Sequence, residues 1–198
     1  MSEPRKVVYQ RLGAFSGIIA PIIGFICILS AIASYPQFSW TNNALSDLGI
    51  VSGITGPLFN FGLVASGFLA FNFATFGLYN YFGKSWVGKI GSVTFAAATV
   101  ALIAIGVFNE SFSPTHYFVS VAFFALAPIS LFILTCAFWL NHHRRMAAFT
   151  AVVGVAAALP WILQFTLNYF PNVAVPEFLS GLAISAWAIV VGRKMLKS

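Results

Sequence analysis

Six stretches of this chain are too long and too continuously apolar to fold in water as anything but buried helices. They run near 12–34, 57–82, 90–108, 116–141, 147–170 and 177–193. A hydrocarbon core of about 30 Å takes roughly 20 helical residues to cross, and each stretch supplies about that. Barrel strands would alternate polar and apolar residues over about ten positions, and these runs do not. The pattern therefore predicts an all-α, polytopic membrane protein with six transmembrane helices in a single bundle and one domain over 1–198. Of the 198 residues, 60% are hydrophobic and 7% charged, against roughly a quarter charged in a soluble domain.

The placement of charge orients the bundle. Arg5, Lys6, Arg11, Lys84, Lys89, Arg144, Arg145, Arg193, Lys194 and Lys197 all fall at the chain ends or in alternate connectors, hence on one side of a six-span topology. Basic connectors are retained in the cytoplasm. Both termini are thus expected to be cytoplasmic, in a multi-pass protein of the cell membrane. The net charge of +6 does not indicate nucleic acid, because the cations punctuate spans instead of forming a face. Membrane lipids are the expected partners, through anionic headgroups on the basic side. His142 and His143, beside Arg144 and Arg145, read as a solvated basic connector, with headgroup binding as the alternative. Cys27 and Cys136 lie within spans and read as small buried residues. The first apolar stretch is too long for a cleavable signal and is expected to remain as a span.

One connector stands apart. Residues 35–56, YPQFSWTNNALSDLGIVSGITG, are polar yet hold a single charge, Asp47. A free hydrated loop would carry more, so the segment is expected to fold as a cap on the outer end of the bundle. Pro21, Pro128 and Pro160 fall inside spans and are expected to bend them. Small-residue stripes (Gly181, Ser185, Ala188 and Gly192; Gly88, Ser92 and Ala96) permit close helix approach. Tyr and Trp gather at both ends, as interfacial anchors do.

The ionisable groups away from the basic side are Asp47, Glu110, His116 and Glu177, with Asn42, Asn43, Asn60 and Asn109 at the same level. A carboxylate near lipid costs several kcal/mol unless paired or solvated, so their convergence asks for a joint account. One reading is local: Asp47 caps a short helix, Glu177 sits favourably in the first turn of the last span, and Glu110 pairs with His116 across the turn at Pro114. A second is a metal or proton site, although no HxxxH, HExxH or Asp-rich loop is present and no metal or cofactor is implied. A third is an outward pocket for a lipid headgroup or small polar ligand. A serine nucleophile is a weaker option: His116 and Ser120 share a helix face, and Glu110 or Glu177 could supply the acid. Asn72 and Gln164 lie deeper and are expected to bond between helices.

Leu45-Ser46-Asp47-Leu48-Gly49, Leu58-Phe59-Asn60, Gly106-Val107-Phe108-Asn109-Glu110, His116-Tyr117 and Pro176-Glu177-Phe178 occur in that order. In this the chain resembles the prokaryotic integral membrane family called domain of unknown function 998, with Asn109 standing where that family's pattern has proline. More distantly it is similar to the six-span Frag–DRAM–Sfk group, some of whose members are linked to lipid remodelling. The first resemblance implies that Asp47, Glu110, His116 and Glu177 are motif positions. It implies no reaction.

The expectation is therefore a ligand-binding site made by Asp47, Asn60, Glu110, His116 and Glu177 beneath the 35–56 cap. The leading function is binding of a lipid headgroup or small polar ligand. The alternatives are a structural or accessory subunit of a larger membrane complex, its partners other membrane subunits, and a membrane-embedded lipid-modifying enzyme.

Overall fold

A computed structural model describes residues 3–197, with side chains from Val8 to Lys197. Six helices are long and apolar enough to cross a membrane. They are α1 (Glu3–Ala33), α2 (Thr55–Tyr81), α3 (Trp86–Val107), α4 (Thr115–Leu140), α5 (Arg144–Leu167) and α6 (Ala174–Leu196). Among the described residues there is no strand. The protein is an all-helical, multi-pass membrane protein.

Each helix packs on its neighbours in sequence, and α6 returns to pack on α1, so the six close into a ring in chain order. Short connectors enforce antiparallel neighbours. The alternation gathers the 84–89 and 141–145 connectors and the end of α6 at one end, the basic end. The 34–54, 108–114 and 168–173 segments gather at the other, acidic end. The ring is filled by aromatics. Phe73, Phe95 and Trp187 meet with centroids 5.3 to 6.2 Å apart. The fully buried Trp187 donates its indole N–H to Thr150 Oγ1 at 3.0 Å, as a buried indole requires.

α2 is not uniform. Phe73–Leu78 forms a π-helical segment inside it, an extra residue per turn of the kind that re-aims a helix face. Gly13 of α1 lies against it so closely that a Cβ there would stand 2.2 Å from Gly77 N. Pro21, Pro128 and Pro160 are all accommodated inside continuous helices.

At the acidic end, residues 34–54 are an ordered cap. Leu45 and Leu48 enter the core, and Ser46–Ile50 forms a 3-10 turn. Asn172 and Ala174 donate their backbone N–H groups to the carbonyls of Thr41 and Asn43. These bonds stitch the cap to the α5–α6 connector. Asn60 packs directly on Gly49, where a Cβ would meet its Oδ1 at 2.6 Å.

Candidate functional site

The cap and the two short connectors bring four ionisable side chains to one place. Asp47, Glu110, His116 and Glu177 all line a groove of about 860 Å³ that opens between α4 and α5 at the acidic end. Ser46 supplies the first link. Its hydroxyl donates to Glu110 Oε1 at 2.7 Å, across 64 residues of chain. Glu177 supplies the second. It is 9% exposed, and its Oε2 accepts the backbone N–H of Leu45. A residue in the first turn of the last helix therefore holds the cap down.

Asp47 does not occupy the N-cap of the short helix. That position belongs to Leu45, with no side-chain cap. Instead Asp47 Oδ2 accepts the Asn43 side-chain amide at 2.7 Å and the Ala44 N–H at 3.0 Å, closing the turn that leads into the 3-10 segment. Glu110 is not paired to His116 by a hydrogen bond. Nδ1 of His116 donates to the Phe108 carbonyl at 2.7 Å, because a carbonyl can only accept. In the neutral ring this leaves Nε2 as the acceptor, 3.4 Å from Ser120 Oγ. The orienting position of a serine triad is thus held by a carbonyl and not by Glu110 or Glu177.

Glu110 is half-buried, and its carboxyl is raised above the ordinary glutamate value of 4.5. Burial is the main cause, reinforced by the nearby charge and direct contact of Asp47; the Ser46 hydroxyl and the charge of His116 oppose it. A like charge beside a carboxyl disfavours its ionised form. Among the described residues, no three His, Cys, Asp or Glu side chains are grouped as metal ligands would be.

Asn60 lies behind the groove. Its amide donates to the Gly49 carbonyl at 2.9 Å, and Asn109 reaches the same carbonyl at 3.4 Å. Asn109 also caps the short 110–112 turn by accepting the Ser111 N–H, which is how an asparagine serves where the resembling pattern has proline. Gln164 does not bond to another span; its amide donates to the Phe170 carbonyl, closing the turn after α5.

Sequence reasoning did not find the groove's walls. Val121, Ala125 and Ile129 on α4 face Ala158, Ile162 and Phe165 on α5, each set spaced three or four apart on one helix face. The only signal was that periodicity, and every face of a membrane helix is apolar. A smaller cavity of about 120 Å³ lies on the bundle axis, and Ser46, Ser120, Phe124 and Glu177 border both spaces.

Known proteins place the chain. It is 27% identical over 185 residues to a protein named Na(+)/H(+) antiporter NhaA from Bifidobacterium adolescentis, a match over 88% of this chain and 35% of that protein. The chain thus spans about a third of the length of this relative. No solved structure matches it. Residues 18–194 match the integral membrane family described as Protein of unknown function (DUF998), and the chain belongs to that family.

Proposed function

We propose that this protein binds an amphiphile from the membrane, with the polar head at Asp47, Glu110, His116 and Glu177 and the apolar part along α4 and α5. One observation carries the reading: the groove is polar at one end and apolar along its length. Its volume of about 860 Å³ falls within the few hundred to ~1,000 Å³ usual for ligand sites. From His116 to Phe132 it follows α4 for about 24 Å at 1.5 Å per residue, most of a bilayer core. Its walls are left uncovered by protein, with Val121 47%, Ile129 49% and Ile162 55% exposed. Asn60 acts in this reading through the cap, by fixing the Gly49 carbonyl under the 3-10 turn.

The basic end is taken to face the cytoplasm, with both termini there, because basic connectors resist translocation. The acidic site then opens at the outer leaflet of the cell membrane.

A second reading has its own support. A stretch like this chain forms about a third of a longer protein named as an antiporter, which suits an accessory role beside a transport unit, with other membrane subunits as partners. The two readings separate on gentle purification. Binding predicts that the protein retains a defined amphiphile, identified by mass spectrometry, and that Ala125→Phe in the groove wall empties it. An accessory role predicts stoichiometric companion chains, unaffected by that substitution. Recovery of neither amphiphile nor companion would overturn both.

A further inference from the structure

Resting on the binding reading, we infer that the ligand is a single-chain amphiphile with a protonated amine head. The chemistry of the acidic end selects the head. Residues 35–56, 108–116 and 168–177 contain no lysine or arginine, so nothing in the connectors around the groove's polar end can neutralise a phosphate or sulfate. The one imidazole there, His116, spends its Nδ1–H on the Phe108 carbonyl. Three carboxyl groups line the groove, and each keeps acceptor capacity beyond the bonds that hold it. Asp47 takes two donors on one oxygen, Glu110 takes Ser46 on one, and Glu177 takes Leu45 on one. A carboxylate offers about four lone-pair sites. An ammonium is the complementary group: three donors, no acceptor and a positive charge that would let neighbouring acids ionise together. Ser113, Ser120 and Asn172 also line the groove and suit hydroxyls flanking the amine.

The walls select the tail. The stripes on α4 and α5 face each other across one cleft, and Phe124 packs at a tilt on Trp161 with centroids 4.6 Å apart on the wall near its polar end. A single hydrocarbon chain fits between two helices in this way, with its remaining surface left to the bilayer.

The test uses the whole protein in neutral-detergent micelles at pH 7 with three probes of equal chain length, each brominated along the chain: a long-chain primary amine, the matching alcohol and the matching fatty acid. Bromine quenches tryptophan on contact, and Trp161 lines the groove. The expected result is saturable quenching by the amine, about tenfold tighter than by alcohol or acid, as one charge-assisted hydrogen bond gives. The saturable component disappears in Trp161→Phe, and the preference for the amine is lost in the Asp47→Asn, Glu110→Gln double variant. The ranking of probes on the unaltered protein needs no variant to fold. Equal binding of all three probes at Trp161, or tighter binding of the fatty acid, overturns the amine assignment and leaves the groove as a general lipid site. No saturable component at Trp161 for any probe overturns the binding reading itself.

Discussion

The seam between α1 and α2 and the cleft between α4 and α5 are both apolar, and they end in opposite states. At the seam, Gly13 and Gly17 face Gly77 and Phe73 so closely that a Cβ on either α1 residue would stand 2.2 Å or 2.5 Å from the nearest atom. At Gly13 backbone meets backbone, at Gly17 the glycine meets the Phe73 ring, and Gly77 lies within the π segment of α2. At the cleft, Ile129 and Phe132 of α4 and Ile162 and Phe165 of α5 line an open groove. Hydrophobicity does not decide which interface closes, since lipid is as apolar as either surface. Closure follows side-chain volume at the contact. A membrane bundle can thus be closely packed on one side and accessible on the other without any change of polarity.

The sharpest way to break this contrast is to add volume to each side. Gly13→Ala puts one methyl group where backbone already is. Removing a helical glycine contributes about 1 kcal/mol of helix propensity. The overpacking cost is about 3 kcal/mol, so the net effect is destabilising. Ala125→Trp adds far more volume to the cleft wall and is expected to change stability by no more than about 0.5 kcal/mol, as for an exposed site. Thermal unfolding of both variants in one mild detergent measures the pair. A neutral Gly13→Ala would show that the seam tolerates separation.

A smaller effect is expected where the cap meets α6. Glu177→Leu leaves the buried Leu45 N–H without its acceptor, which costs about 1–3 kcal/mol. Glu177→Gln keeps a carbonyl oxygen in place and is expected to cost less than half as much. Hydrogen exchange over residues 40–50 would localise the loss to the cap. Equal effects from the two substitutions would mean that charge, not the bond to Leu45, is what Glu177 contributes there.

The six helices were legible because apolar length in a bilayer leaves the backbone few options. Their ends were less so. The apolar stretch begins near residue 12, yet α1 reaches back to Glu3, past the basic residues at its start. α5 stops at Leu167, where Asn168 turns left-handed at φ 47°. Tyr169 and Phe170 carry the apolar run onward without carrying the helix. Pro176 did not mark the start of α6, which begins at Ala174, because a first-turn proline loses no hydrogen bond. The acids were legible as an unexplained set, since isolated carboxylates near lipid need a reason. Their partners were not: Ser46 to Glu110 and Leu45 to Glu177 span 64 and 132 residues, separations no local pattern encodes. The cleft was the least legible feature, because its lining is drawn from the cap, two connectors and α4, α5 and α6, which no local pattern joins.

The smallest expected effect belongs to the acidic side alone, and it concerns pH. Burial, with Asp47 close by, raises the carboxyl of Glu110 above 4.5 in the folded protein. Below pH 4.5 both folded and unfolded chains hold this proton, and the group is neutral in its effect. As pH rises past 4.5, the unfolded chain releases the proton first, the folded state binds more protons, and stability falls until the folded carboxyl also ionises. Glu110→Gln removes that slope and still offers Ser46 an oxygen to donate to. The melting temperature of the wild type, followed from pH 4 to pH 8, is therefore expected to decline relative to the variant and to converge with it at the acid end. Asp47, Glu177 and His116 line the same space, so the difference between the two proteins is the quantity to read. A difference that widened toward acid would mean that Glu110 is stabilised as the anion, as a carboxylate held mainly by Ser46 and His116 would be. An amine in the groove should shrink the difference, since a cation beside Glu110 favours its ionised form, whereas nothing added to the closed α1–α2 seam should alter it.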